Sequence, residues 1–414
     1  MSHRTFQIVL GAVLVAVATK ISLDASVGLD YESDAQPAID ALAEGRFGDF
    51  LSLQPLMGSF SILVRAPLAA LAGGDEALRY GLGVLPCLLA AGALGLALAR
   101  AMGERGLSRP AQAVTAVICV VNPLTLDAIQ LGHPEEILGA ALSVGAVLAA
   151  IRKQVLAAAL LLGLAVATKQ WAVLVILPVI IAAPAGRRVK LAVIAGALTA
   201  ILTLPLALGN SESFGRNVTL AGNTWTEVRA ASAWWPVAER VPRRVFDGVD
   251  HTILDERRLP LIVGRISHPL IVLLGAALAL LWWRRKGDPA DALALLALVM
   301  LLRAILDPVN ASYYLVPFLL SLAGWEALAA RRVPVATVIA TACSFFTFDR
   351  IAGGAPDLAN VVLLLWSVAF AIYLALVLYA PGTVRSLGKL LSTSEPSSVT
   401  TTRSSIRTPS FPGR

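Results

Sequence analysis

Apolar runs of roughly 16 to 23 residues, each long enough to cross a hydrocarbon core of about 30 Å, recur from one end of the chain to the other. That repetition limits the possible folds more than any single motif does. About twelve such runs are read, over approximately 6–23, 79–100, 109–127, 135–151, 154–168, 170–185, 189–208, 261–283, 289–306, 313–330, 334–348 and 358–380. With 57% hydrophobic and only 15% charged residues, most of the chain must meet lipid or other apolar helices rather than water. The expected fold is an all-α polytopic membrane protein of about twelve transmembrane helices. The first run follows His3 and Arg4 and lacks a small-residue cleavage site, so it reads as a retained span.

The basic residues test this division, because lysine and arginine should gather in alternate loops. Arg100, Arg105 and Arg109; Arg152 and Lys153; Arg187, Arg188 and Lys190; Arg284, Arg285 and Lys286; Arg331 and Arg332; and Arg385 and Lys389 all fall on the side of the N-terminus. That side is assigned to the cytoplasm, with both termini there, in a multi-pass plasma-membrane protein. The net charge of +7 is therefore a topology signal, and no nucleic-acid partner is expected. Cys87, Cys119 and Cys343 lie inside apolar runs without ligand-like spacing and read as small core residues.

The expected organisation is one transmembrane unit over 1–380, with a first outer loop over 24–78 that carries juxtamembrane helices and a long outer loop over 209–260. A Ser-, Thr-, Arg- and Pro-rich tail over 381–414 has the composition of a disordered segment. The apolar piece from Leu53 to Gly73 contains Gln54, Pro55 and Arg65, and counting it as a span would invert every later loop. It reads instead as a juxtamembrane or re-entrant element covered by protein.

Polar chemistry collects on the outer side. Asp24, Asp30, Glu32, Asp34, Asp40, Glu44 and Asp49 crowd into the first outer loop. Residues 34–45 read as a short amphipathic helix lying on the membrane surface, with Ala35, Ala38, Ile39 and Leu42 on its apolar face, Asp34 at the N-cap, Pro37 in the first turn and Gly45 at the C-terminal cap. Functionally, Asp30 or Asp34 is placed to take a proton from an acceptor hydroxyl.

Three further clusters share that side. Gln130-Leu-Gly-His-Pro-Glu-Glu136 sets two acids in a helical first turn, which dipole matching explains, and leaves His133 to bind a sugar hydroxyl or phosphate oxygen. Thr168-Lys-Gln-Trp171 interrupts an apolar stretch: Lys169 and Trp171 are either interface anchors or, for the lysine, a phosphate contact. In Leu302–Tyr314, Arg303 and Asp307 stand at i and i+4, either neutralising each other or, for Arg303, serving as an intramembrane functional cation; Asn310, Tyr313 and Tyr314 add hydroxyl-binding groups. Asn223, Trp225, Trp234 and Trp235 of the long loop could stack on sugars or rest at the interface.

In this order, Asp30-Tyr-Glu-Ser-Asp34 through Gly45, Gly132-His-Pro-Glu135, Ala167-Thr-Lys-Gln-Trp171 and Arg303-Ala-Ile-Leu-Asp-Pro308 resemble the C superfamily of integral membrane glycosyltransferases. Within it they are similar to the family 87 enzymes that use polyprenyl-phosphate sugars. The resemblance implies transfer of a mannose- or arabinose-class sugar from a polyprenyl-phosphate-linked donor to a lipid or cell-envelope glycan acceptor on the outer face. It implies Asp34 or Asp30 as base, Lys169 and Arg303 on the donor phosphate, and His133, Glu135, Gln170, Trp171, Asp307, Asn310 and Tyr314 around the substrates. Two aspartates four residues apart leave the base open between them. No nucleotide-binding fingerprint accompanies these motifs, which fits a lipid-linked donor. No cofactor is expected, and a divalent cation in the outer loops stays an open alternative. A secondary transporter or lipid flippase is the rival reading, weakened by the absence of a visible internal repeat.

Overall fold

The computed structural model describes residues 2–53, 57–222, 226–247, 250–285, 287–330 and 333–383. Lys286, Arg331, Arg332, Asn223, Trp225 and the tail that holds Arg385 and Lys389 lie outside the described residues. The chain opens with α1 (His3–Leu23), then four short helices in the first loop: α2 (Tyr31–Asp34), α3 (Gln36–Ala43), α4 (Phe47–Ser52) and α5 (Ser59–Ala69). Next come α6 (Glu76–Glu104), α7 (Arg109–Val120), α8 (Pro123–Gln130), α9 (Pro134–Ile151), α10 (Val155–Val166), α11 (Ile176–Ala182), α12 (Arg188–Gly209) and α13 (Ser211–Gly222). Strands β1 (Glu239–Asp247) and β2 (Asp250–Arg258) are followed by α14 (Leu261–Arg285), α15 (Ala292–Leu306), α16 (Val316–Leu328), α17 (Val335–Phe345) and α18 (Pro356–Tyr379).

Eight helical segments among the described residues are long and apolar enough to cross a membrane: α1, α6, the α7–α8 pair, α9, α12, α14, α15 and α18, some extended by a flanking turn. The other four expected spans are helical but shorter. They correspond to α10, the segment Gln170–Ala182 that ends in α11, α16 and α17. At about 1.5 Å per residue, helices of 11 to 13 residues reach only about 20 Å. Polar breaks at Thr168–Lys169 and around Ser312 cut these runs, so apolar length in the sequence exceeds helical length in the fold.

Helices α9, α15 and α16 form the buried centre, with almost every side chain enclosed. Helices α1, α12, α14 and α18 form the outside, where Leu208, Leu273 and Leu365 are exposed. An apolar belt of this kind is stable only against lipid.

The first loop differs from expectation in two respects. Asp34 is not an N-cap: it ends α2, and α3 begins after Ala35 with no side-chain cap. Tyr31, buried edge-on against the Tyr80 ring, anchors α2. Enclosing an aromatic side chain contributes about 1.5–3 kcal/mol, against about 1 kcal/mol for a cap, so the anchor wins. The apolar face of α3, with Ala35, Ala38 and Ile39 buried, packs on α5 rather than on a membrane surface. The C-terminal cap is as expected: Gly45 has φ +74°, its N–H donates to the Leu42 carbonyl at 3.1 Å, and the Arg46 N–H reaches the Ala41 carbonyl at 2.7 Å.

Helix α5 is too short to span and buries one face in the protein, with Ser59, Ser61, Ile62 and Arg65 enclosed and Leu63 and Pro67 exposed. It docks through Gly58, whose N–H donates to the Thr168 carbonyl at 3.0 Å; a Cβ there would lie 2.1 Å from the Ala167 oxygen. Gly58→Ala must push two backbones apart, a loss of about 1–3 kcal/mol. Earlier thermal aggregation in detergent is the expected result, and an unchanged profile would show that this contact does not hold the loop.

The fold is not wholly helical. In the long outer loop, β1 and β2 pair antiparallel with Glu239 opposite Arg258 and Asp247 opposite Asp250. The hairpin lies in a segment too polar to register as a span.

Two opposite ends emerge. At one, His3, Arg4, Arg100 and Arg152 surround a common cavity, and Arg152 lies 3.6 Å from Glu104. At the other, the first loop meets the turns before α9, after α10 and after α15.

Candidate active site

The site begins with two glycines that let backbones touch. The Asp30 N–H donates to the Leu131 carbonyl at 3.2 Å, and a Cβ on Gly28 would fall 2.3 Å from the Gly132 nitrogen. Gly132 itself has φ +93°, a conformation that side chains disfavour. This approach carries the first loop onto the turn ahead of α9. There the Asp30 Oδ2 lies 3.1 Å from His133 Nε2, while His133 Nδ1 lies 3.0 Å from Glu135 Oε1. Burial works against a charged His133 ring, but the hydrogen bond and charge of Glu135 outweigh it, so the ring holds its proton above its ordinary range.

Beneath His133 is a buried ionic floor. Glu135, fully buried, has Lys169 Nζ at 3.0 Å and Arg65 Nη1 at 3.6 Å. Glu136 has Lys169 Nζ at 3.4 Å, Arg303 Nη1 at 3.8 Å and the donating indole N–H of Trp171 at 2.8 Å. Both acids sit in the first turn of α9, where the helix dipole favours them. Arg303 also donates to the Tyr314 carbonyl at 3.2 Å and lies over the Tyr314 ring at 4.2 Å. Lys169 stays protonated: burial opposes its charge, and Glu135 and Glu136 together more than offset that. Three cations, Arg65, Lys169 and Arg303, face two carboxylates, so the floor carries one positive charge in excess. An anion is attracted to such a wall of low dielectric.

Above the floor opens a cavity of about 390 Å3. Asp34, His133, Lys169 and Arg303 line its polar part, with Gln170, Trp171, Asp307 and Tyr314. Its other wall is apolar, formed by Val173 and Leu174 ahead of α11 and by Ile271 and Val272 of α14. Val173 is 43% and Val272 47% exposed, so this wall continues onto the outer surface of the helices.

The structure thus gathers most of the residues that sequence reasoning selected, and separates three. Glu135 lies below the cavity as the counter-ion of Lys169. Asp30 is engaged with His133, while Asp34 faces the cavity and accepts a 2.8 Å hydrogen bond from Ser33. Asn310 does not reach the cavity; its Nδ2 donates to the Ala231 carbonyl at 2.6 Å. Arg303 and Asp307 do not pair as an i, i+4 couple: Arg303 turns to Glu136, and Asp307 lies 3.4 Å from His268. Trp234 and Trp235 fasten the long loop, donating to the Leu306 carbonyl and to Asp357 at 2.7 Å each.

Two participants escaped the sequence reading. Arg65 was visible as a lone arginine in an apolar piece, but its partner lies seventy residues away in sequence. His268, inside the apolar run of α14, lines the cavity; a histidine at membrane depth is itself the available signal. Tyr313, read from the sequence as a hydroxyl-binding group, does line the cavity, with its ring 4.5 Å from that of His133. Among the described residues, no group of three or more His, Cys, Asp or Glu is arranged to hold a metal ion.

No curated protein sequence matches the chain significantly. Among solved structures, the fold is similar to that of ArnT from Cupriavidus metallidurans bound to undecaprenyl phosphate. The TM-score is 0.50 and the identity 16%, over 92% of this chain and 72% of that one. The archaeal oligosaccharyltransferase AglB from Archaeoglobus fulgidus, in complex with an inhibitory peptide and a dolichol-phosphate, has a TM-score of 0.41 at 13% identity, over 92% of this chain and 55% of that one. The family model of glycosyltransferase family 87 matches residues 58–308, more than half of the 414 residues and beginning after Asp30 and Asp34. With the ionic floor, Lys169, Trp171 and Arg303 all inside the matched region, the resemblance read from the motifs holds, and the chain belongs to glycosyltransferase family 87.

Proposed function

We propose that the protein transfers a hexosyl or pentosyl group, of the mannose or arabinose class, from a polyprenyl-phosphate donor to a lipid or cell-envelope glycan acceptor. One observation carries this reading: a single cavity joins two buried cations, Lys169 and Arg303, to an apolar wall that runs out to the lipid-facing surface. A phosphate would sit toward Lys169 and Arg303, and its polyprenyl chain would leave between α11 and α14. The ArnT structure of similar fold contains undecaprenyl phosphate, a lipid of this class.

In the proposed reaction the acceptor oxygen attacks the anomeric carbon of the donor. The new C–O bond forms as the bond to the phosphate oxygen breaks, and its electron pair leaves on the phosphate, whose charge the floor stabilises. The acceptor proton passes to a first-loop carboxylate, with Asp34 as the base because it faces the cavity. The membrane is the plasma membrane and the cavity opens on its outer face, in keeping with basic clusters gathered at the opposite end with the N-terminus. Family membership favours transfer over the transport alternative.

The test uses purified full-length protein in detergent, radiolabelled polyprenyl-phosphate mannose or arabinose, and a membrane glycolipid extract as acceptor. Label is expected to move to the extract with release of polyprenyl phosphate; no consumption of either donor would overturn the reading. Lys169→Ala should weaken donor binding about 10- to 100-fold, the worth of a charge-assisted contact of about 1.5–3 kcal/mol. Unchanged donor affinity would leave Lys169 as a counter-ion for Glu135 and Glu136.

A further inference from the structure

A second concavity, of about 570 Å3, opens on the same end of the molecule and is not explained by donor binding. Its size falls within the range of small-molecule sites, roughly 300–1,000 Å3. It lies between the end of α8, the stretch of the long loop just before β1, the turn after α15 and the segment after α17. Its lining is polar where the donor cavity has its apolar wall: Asp127, Gln130, Arg229, Arg257 and Asp349 contribute charged or amide groups, with the Arg257 guanidinium lying over the Trp235 ring at 4.5 Å.

Asn310 supplies the second observation. It lines this groove, is only 1% exposed, and is held by its Nδ2 on the Ala231 carbonyl, yet its Oδ1 is buried with no hydrogen-bond partner. A buried amide oxygen without a donor is costly, so the site calls for a hydroxyl or N–H from something that enters the groove. Carboxylates and an amide oxygen are acceptors, and two guanidinium groups are donors, for a molecule rich in hydroxyl groups. They offer little to an acyl chain.

The groove and the donor cavity are built on the same two turns. Leu131, Ala311 and Ser312 face the groove, whereas His133, Tyr313 and Tyr314 face the cavity. The Leu131 carbonyl is also the one that receives the Asp30 N–H, so the first-loop backbone that carries Asp30 runs beside the groove while Asp34 faces the cavity. We propose that this groove is the acceptor subsite and that it reads the sugar head of a glycan or glycolipid, with Asp127, Asp349 and Asn310 taking hydrogen bonds from its hydroxyl groups. This assignment rests on the glycosyl-transfer reading above.

Saturation-transfer NMR on the full chain in micelles, with methyl α-mannopyranoside and methyl α-arabinofuranoside as probes, tests the groove without requiring turnover. Saturable binding of at least one probe is expected, weakened fivefold or more by Asp127→Asn and by Asp349→Asn. In transfer assays the same variants should raise the acceptor KM at least fivefold while the donor KM is unchanged. Probe binding that survives both substitutions but is lost in Lys169→Ala would place the sugar in the donor cavity and overturn the groove, as would an unchanged acceptor KM. Groove-dependent binding in a protein that transfers nothing would instead overturn the transferase reading and keep the glycan site. If neither probe binds and the acceptor KM is unmoved, the assignment fails outright.

Discussion

Replacing Asp34 by asparagine is expected to lower kcat for sugar transfer by about 100- to 10,000-fold, the usual worth of a positioned general base, with donor affinity nearly unchanged. The substitution keeps shape and removes only the capacity to hold a proton. Asp34 faces the cavity with one oxygen taken by Ser33. Asp30 is placed differently: its carboxylate is turned to His133, a ring held between two acids, and not to the open cavity. Asp30→Asn should cost roughly tenfold, because an amide oxygen still receives the His133 N–H and keeps the ring in place. Single-turnover kinetics on both variants separate the roles. A larger loss for Asp30→Asn would exchange them, and full activity in both would remove the first-loop base from the mechanism.

The largest effect on stability is expected from Glu135→Gln. Glu135 is fully buried between Lys169 and Arg65, and neutralising it leaves those cations short of a counter-charge in a region with little access to water. Breaking one side of a buried ionic group costs about 3–5 kcal/mol, a large share of the margin of a typical fold. The expected result is a sharply reduced yield of monodisperse protein and early thermal aggregation. The double variant Arg65→Met with Glu135→Gln should recover part of the loss, because Lys169 keeps Glu136 as a partner. Wild-type stability in the single variant would show that the floor is hydrated and tolerant, contrary to the role given to it here.

Much of the site was legible along the chain. A lysine or arginine at membrane depth is expensive unless it is used or paired, so Lys169 and Arg303 stood out locally, and the alternation of basic loops placed them on one side with His133 and Glu135. What could not be read was pairing across the sequence. The spacing offered Asp307, on the same helix face, as one partner for Arg303, whereas the fold turns Arg303 to Glu136, a residue 167 positions away. Asn310 was grouped with Tyr314 because the two are neighbours in sequence, yet the turn between them sends one to the groove and the other to the cavity. Asp34 lost its capping role because Tyr31 found a buried place beside Tyr80, a partner about fifty residues downstream.

By itself, the sequence determined the membrane-embedded helical class and the segregation of basic clusters from the acidic and polar turns, and its motifs carried the resemblance to the family and most of the cavity lining. The class and the segregation follow from transfer free energies and local periodicity, which are properties of short stretches. Only the tertiary structure decided that four apolar runs form short helices, that Glu135 lies beneath the cavity as a counter-ion, that Asp34 rather than Asp30 faces the open space, and that a second, polar groove adjoins it. Those outcomes depend on backbone contacts such as Gly28 on Gly132 and on ionic partners distant in sequence. Such energies exist only once the chain has closed on itself.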